Sequence, residues 1–354
     1  MKYILSFFTL IIFLGCGSSN DGVSSKNPFN TKSFNPYTDA GFENAWHLRV
    51  VNKELAKSRN ITDDSNIHIY SAWEKTRGEN VKIAVIDYDF NSENSDLKEN
   101  VFATYDISTN TTNVIKDFDS HGTSCASIIG SPQNGIGIIG VAPKAKLILI
   151  SANLDIDNER VLALKKAKEL GASVISCSWG FGLTQGISTQ MKNTLKDLYD
   201  SGITVVFSSG NNSLDLDIDP NYTDESELPW VIGVGSSTEQ NTKEPHSNYG
   251  NNIDILAPGG NQNGGVYCIK GYVDSSYGYF NGTSAASSVV AGVVALIKSV
   301  KPNLTPRQIR EILITTADKI EPEVANYDPY TGFSHTHAYG KVNASAAVAK
   351  ALTY

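Results

Sequence analysis

Runs of consecutive apolar and β-branched residues alternate along this chain with stretches whose apolar positions recur every three or four residues. The first clear run, Val81-Lys82-Ile83-Ala84-Val85-Ile86-Asp87, reads as a strand covered on both faces, as in a parallel sheet. Lys146 to Ser151, Ser173 to Ser178, Ile203 to Ser208 and Val231 to Gly235 repeat the pattern. Between them the period changes. Asn158 to Leu170 predicts a helix closed by Gly171, and Ser188 to Ser201 another, with Met191, Leu195, Leu198 and Tyr199 on one face and Gly202 at its end. Cys125 to Gly130 also reads as helical, and the unbroken apolar run Val289 to Val300 reads as a buried helix. Thr305-Pro306-Arg307-Gln308 opens a further helix through Thr316, with an N-cap, a Pro at the first helical position and a Gln three residues after the cap. Strand and helix in alternation predict an α/β fold: a doubly wound, mostly parallel central sheet with helices on both faces. Chemistry in such folds gathers at the carboxyl ends of strands, where Asp87, Ser178 and Ser208 fall.

Composition narrows the class. A chain of 354 residues, 40% hydrophobic and 19% charged, can bury one large core or two modest ones, and no repeat or second core pattern divides residues 39–354. A net charge of −8 with no run of Lys or Arg argues against a nucleic-acid or anionic-membrane surface. The N-terminus is different: Lys2 precedes the apolar stretch Tyr3 to Leu14, then Gly15-Cys16 and the polar Gly17 to Asn20. This is an export signal over residues 1–15, too short to span a bilayer as a mature helix. Its end resembles a bacterial lipoprotein signal, which implies Cys16 as a lipidated N-terminus holding the protein at the cell envelope. Phe13 stands where that pattern usually has Leu, and an ordinary cleaved signal is the alternative. Residues 16–38, rich in Ser, Asn, Lys, Pro and Thr, read as a flexible tether. Cys125, Cys177 and Cys268 make an odd number after export, and the apolar settings of Cys125 and Cys177 predict buried, inert thiols.

The chemistry centres on Gly282-Thr283-Ser284, which places a hydroxyl between a Gly-bearing turn and the helix. Free N–H groups and the positive dipole end there favour developing negative charge. Alone, Ser284 would be read as a simple N-cap. Asp87, His121 and Ser284, however, fall in the order Asp, His, Ser, which is subtilisin's order. They supply a hydroxyl nucleophile, an imidazole to carry its proton and a carboxylate to orient the imidazole. Asn211, following a strand through Ser209-Gly210, is positioned by sequence to donate to an oxyanion; on its own it would be a turn residue.

With these motifs the chain resembles the subtilisin-like serine proteases from about Asp39 to Val348. Val85-Ile86-Asp87, His121-Gly122-Thr123, Ser178-Trp179-Gly180, Ser209-Gly210-Asn211 and Gly282-Thr283-Ser284 match that family's Asp, His, substrate-strand, oxyanion and Ser motifs. Gly140 to Pro143 and Tyr339 to Ala344 match framework motifs. Asp39 with Trp46-His47-Leu48, Ala72-Trp73-Glu74 and Asn303-Leu304-Thr305 resemble the kexin and furin branch, though neither that branch's downstream β-sandwich nor a separate prodomain of usual size is expected from these 354 residues. The resemblance implies a monomeric endopeptidase acting on polypeptides held between Ser178, Trp179, Gly180 and Ser208, Ser209, Gly210. Tyr88, Asp89, Ser124 and Ser288 depart from the family's usual residues, and a fold retained only for binding is the competing reading. The resemblance also implies a structural Ca²⁺ held by the side chains of Asp39, Asp96 and Asn134 and the carbonyls of Pro132, Ile136 and Ile138; a solvated loop is the alternative.

Other signals are set aside. Asp215, Asp217, Asp219, Asp224, Glu225 and Glu227 begin like an EF-hand, but Pro220 and Ser226 break the pattern, so a solvated loop is expected. Gly135 to Gly140 satisfies GxGxxG yet opens no helix, and His335 and His337 read as surface histidines. Ser178-Trp179-Gly180 is followed by Phe181 to Gln185 with no acid, which predicts an apolar or aromatic preference at the residue before the scissile bond.

Overall fold

The computed structural model describes residues 35–115, 120–180, 186–218, 223–261 and 264–354. The expected signal, Cys16 and most of the expected tether lie outside these residues, as do Phe181 to Gln185 and Asp219 to Tyr222. Pro36–Tyr354 form one compact unit. Pro36–Thr38, expected in the tether, are instead a short 3₁₀ turn of that unit, with the Tyr37 ring edge-on to buried Phe42.

The sheet contains β1 (Lys82–Asp87), β2 (Val101–Asp106), β3 (Lys146–Ser151), β4 (Val174–Cys177), β5 (Thr204–Ser208), β6 (Val231–Ser237) and β7 (Ile255–Pro258). Its order is β2-β3-β1-β4-β5-β6-β7, and every pairing is parallel. A separate antiparallel hairpin joins β8 (Val266–Ile269) to β9 (Tyr277–Phe280). The helices are α1 (Lys53–Arg59), α2 (Tyr70–Trp73), α3 (His121–Gly130), α4 (Asp157–Glu169), α5 (Thr189–Asp200), α6 (Thr283–Val300), α7 (Pro306–Thr315), α8 (Pro322–Ala325) and α9 (Ala344–Ala351). The capping box expected before α7 is present, with the Thr305 and Gln308 side chains each accepting the other's backbone N–H.

Side-chain alternation along the strands divides the core. Ala84 and Ile86 of β1, Ile148 and Ile150 of β3, and Val205 and Phe207 of β5 pack with Val161 and Leu164 of α4 and Leu195 and Leu198 of α5. α3 and α6 pack together on the other face. α6 is long and apolar enough to cross a bilayer, but 89% of it is buried inside the protein, so its hydrophobicity belongs to the core. β1, β4 and β5 are neighbours, with Ile86 beside Cys177 and Cys177 beside Phe207. This register brings Asp87, Ser178 and Ser208 to one edge of the sheet.

Candidate active site

Asp87 ends β1 fully buried, and its two oxygens have different tasks. Oδ1 accepts the Tyr88 backbone N–H at 2.9 Å, and Oδ2 lies 2.8 Å from Nδ1 of His121. His121 is the first residue of α3, and Gly122 explains how it comes so near: a Cβ at 122 would lie 2.4 Å from the Asp89 carbonyl and 2.8 Å from Asp87 Cβ. Burial works against the imidazolium, but the Asp87 carboxylate outweighs it and holds the ring's pKa well above its ordinary 6.5, with Cys125 acting in the same sense. Phe280 meets the ring edge-on at 5.1 Å. Sequence reasoning did not single out Phe280, although it stands only four residues before Ser284.

Ser284 is the second residue of α6, whose N-cap, Gly282, has φ +92°. A side chain at 282 would meet the Asn211 carboxamide 2.8 Å away, so both conformation and space require glycine. The Ser284 hydroxyl donates to the Ser178 carbonyl at 3.0 Å, which places it beside the segment leaving β4. Asn211 is oriented by Thr283, a task the motif itself did not reveal: its Oδ1 accepts the Thr283 backbone N–H at 2.9 Å and the Thr283 hydroxyl at 3.1 Å. That fixes the carboxamide and leaves its NH₂ as the donor for a ligand.

The departures from the family pattern are accommodated. Ser288 bonds back to the Ser284 carbonyl at 2.9 Å, Ser124 to the Ile269 carbonyl at 2.8 Å, and Asp89 accepts the Tyr272 hydroxyl at 2.9 Å. Trp179 donates to the Ile86 carbonyl and packs edge-on against Phe207. On the other side of the crevice, the N–H of Ser209 donates to Val234 and that of Gly210 to the Thr283 hydroxyl. The carbonyls of Ser209 and Gly210 are engaged as well, accepting the Asn248 side-chain NH₂ at 2.8 Å and the Asn248 backbone N–H at 2.9 Å, whereas Gly180 is exposed.

Asp39, Asp96 and Asn134 do converge. Asp39 Oδ1 accepts the N–H groups of Asn134 and Gly135, and Asp96 Oδ2 accepts that of Ile138, so both carboxylates grip the loop containing Pro132, Ile136 and Ile138. Asn134 Oδ1 accepts the Ile136 N–H. Asp96 Oδ1 is buried with no hydrogen-bond partner, and burial, with the charge of Asp39 adding to it, pushes the Asp96 pKa up to about 7.

Two expectations are corrected. The acidic run is not solvated throughout: Asp224, Glu225 and Glu227 are buried, because Asp224 and Glu227 form a capping box around a 3₁₀ turn and Glu225 pairs with Arg160. The two histidines are not both on the surface. His337 is buried, with Nε2 3.1 Å from Glu321, and half-exposed His335 reaches Asp215 at 3.0 Å and Asn251 at 3.1 Å. The capping box is local, but Arg160, Glu321 and the partners of His335 come from distant segments that nothing in either stretch signals. Cys125 and Cys177 are free and buried, as expected, and so is Cys268; Gly135 to Gly140 opens no helix.

Residues 78–341 match the model of the subtilase family, Peptidase S8. Subtilisin NAT of Bacillus subtilis subsp. natto is 30% identical over 98% of this chain and 90% of its own length. A probable subtilase-type serine protease of Deinococcus radiodurans is 30% identical over 77% of this chain, which spans 41% of that longer protein. Among solved structures, a protease of Pseudoalteromonas arctica superposes with a TM-score of 0.73 at 26% identity, covering 89% of this chain and 99% of that one. With the parallel sheet, the pairing of buried Asp87 with His121 and the serine at the start of α6, these matches show that the chain belongs to the subtilase family, the subtilisin-like serine endopeptidases.

Proposed function

We propose that this protein hydrolyses peptide bonds through Ser284, His121 and Asp87, with Asn211 and the Ser284 N–H receiving the oxyanion. The observation that carries the reading is the 2.8 Å contact between His121 Nδ1 and buried Asp87 beside a serine at a helix N-terminus. In the first step the Ser284 hydroxyl leaves the Ser178 carbonyl and passes its proton to His121 Nε2, the ring nitrogen turned away from Asp87, as Oγ bonds to the substrate carbonyl carbon. Asp87 orients the ring and supports its cation without taking the proton. The negative charge on the carbonyl oxygen meets the Asn211 NH₂ and the Ser284 N–H, a backbone donor of the first helical turn, where intrahelical acceptors are lacking. His121 then protonates the leaving amine, and water repeats the relay to release the acyl group from Ser284. Ser284→Ala is expected to lower kcat by about 10⁶-fold and to abolish fluorophosphonate labelling while the protein stays folded. Casein digestion by the purified, folded variant defeats the assignment.

The same reading includes calcium. Asp39 and Asp96, with Asn134 and the carbonyls of Pro132, Ile136 and Ile138, would hold it; the partnerless buried oxygen of Asp96 beside a second carboxylate is the feature that fits a hard dication. Its contribution would be structural, tying loops together away from the reacting atoms. Export and attachment through a lipid on Cys16 complete the proposal, on the strength of the N-terminal pattern alone. Labelled palmitate entering the wild type but not Cys16→Ala in a bacterial host tests it, and a mature N-terminus elsewhere ends it.

A further inference from the structure

Beyond Asn211, on the side of β5 away from β4, a cleft of about 220 Å³ is lined by Asn211, Glu244, His246, Gly260, Asn281 and Gly282. Asn211 follows β5, Glu244 and His246 follow β6, Gly260 follows β7, and Asn281 and Gly282 lead into α6. The cleft is smaller than the ~300–1,000 Å³ of a pocket for a whole small molecule and suits a single side chain. One group in it is out of balance. Glu244 is 4% exposed, its Oε2 is enclosed without a hydrogen-bond partner, and among the described residues no hydrogen bond or ion pair reaches either carboxylate oxygen. Oε1, which is not so enclosed, is the oxygen that meets the cleft. The backbone of Glu244 is fixed, its N–H donating to the Ser236 carbonyl and its carbonyl accepting the Ser247 N–H. The neighbouring cation does not compensate the carboxylate by contact: Lys243 Nζ donates to the carbonyls of Glu244 and Ser247 and lies over the Tyr249 ring. Asn281 commits its Nδ2 to the Asn261 carbonyl at 2.9 Å, so what it offers a ligand is Oδ1, a further acceptor.

We propose that Glu244 selects the first residue of the leaving peptide, so that this protease favours Lys or Arg directly after the scissile bond. The inference rests on the peptidase reading of Ser284 and Asn211 and deepens it. A peptide whose carbonyl carbon sits at Ser284, with its oxygen at Asn211, has the residues before the scissile bond at the ends of β4 and β5. Its continuation runs the other way, past Asn211 and Gly282 toward the ends of β6 and β7. The cleft is what the next side chain meets there. An ammonium or guanidinium on a long stem compensates a carboxylate that the fold leaves bare. An apolar side chain strips its remaining water and returns nothing, and an acidic one adds like charge.

The test uses the full chain and internally quenched peptides that differ only in the residue after the scissile bond, Arg, Lys, Leu or Glu, with mass spectrometry identifying the bond cut. Fluorophosphonate labelling counts active sites in every preparation. Wild type is expected to favour Arg and Lys over Leu in kcat/KM and to cleave the Glu peptide most slowly. Glu244→Gln, which keeps the shape and removes the charge, is expected to lower the Arg-to-Leu ratio at least about tenfold. Stability separates recognition from support: the carboxylate has no partner to lose, so Glu244→Gln in a Ser284→Ala background should melt no lower than Ser284→Ala alone. A wild type that labels and cleaves but favours Leu, or a ratio unchanged by Glu244→Gln, overturns the assignment of Glu244 and leaves the peptidase intact. A clear drop in melting temperature, or a failure to fold, shows that the carboxylate serves the fold itself and overturns the assignment too. Absence of both labelling and cleavage in the wild type overturns the peptidase reading and this one with it.

Discussion

At the scale of single residues, the site works by giving each polar atom one task. Asp87 divides its oxygens between a backbone N–H and His121, and Asn211 spends its oxygen on Thr283 so that its NH₂ faces outward. The elevated pKa of His121 has a kinetic consequence with a definite sign. The ring must be neutral to take the Ser284 proton, so kcat/KM falls as pH drops through the pKa of His121, and that limb should centre above 6.5. The Asp87 carboxylate is what raises it against burial, so Asp87→Asn should move the limb to lower pH and cut kcat by about 10⁴-fold. A pH profile whose acid limb stays in place in Asp87→Asn would show that the carboxylate does not set the proton affinity of His121. Asp87, His121, Asn211 and Ser284 were legible in the sequence because each follows or opens an apolar element and carries a motif. The tasks of Thr283 and Phe280 were not, because an orienting hydroxyl and an edge-on ring have no spacing rule.

At the scale of elements, what the sequence revealed depended on burial. The five strands read from continuous apolar runs, β1 and β3 to β6, are the inner strands of the sheet, covered on both faces. β2 and β7, its two edges, were missed: Val101–Asp106 is half-exposed and mixed in composition, and Ile255–Pro258 is short and ends in proline. The β8–β9 hairpin was missed for the same reason, its second strand being only half-buried. Asp224 illustrates the harder limit, since an acidic run reads as solvated unless a capping box and a distant Arg160 turn it inward. α6 shows the opposite case, where local apolarity and tertiary burial agree. Leu296, fully buried in that helix, should cost about 2–5 kcal/mol when cut to Ala. Urea unfolding in a Ser284→Ala background, which removes self-digestion, measures it; a loss under 1 kcal/mol would mean that the core around α6 collapses around the missing atoms.

At the scale of the whole molecule, the proposed calcium site joins pieces far apart in sequence. Asp39 directly follows the 3₁₀ turn Pro36–Thr38, Asp96 follows β1, and the loop from Pro132 to Ile138 follows α3. Even without an ion the two carboxylates hold that loop through its N–H groups, so a cation would add charge compensation to a scaffold already closed. Tyr277 of β9 bonds to Asp96 as well, which links this corner to the strand leading through Phe280 toward Ser284. An ion that binds only the folded chain stabilises it by mass action, about 2.7 kcal/mol at a hundred times its Kd, which for a chain of this size raises Tm by on the order of 5 °C. Protons compete for the same carboxylates, so the gain should be larger at pH 8 than at pH 5. Calorimetry of Ser284→Ala with millimolar calcium and with excess chelator tests both statements, and Asp96→Asn should abolish the difference. Identical melting curves at pH 8, together with an elemental analysis that finds no calcium retained through the chelator, would mean that Asp39 and Asp96 are held by backbone N–H groups alone.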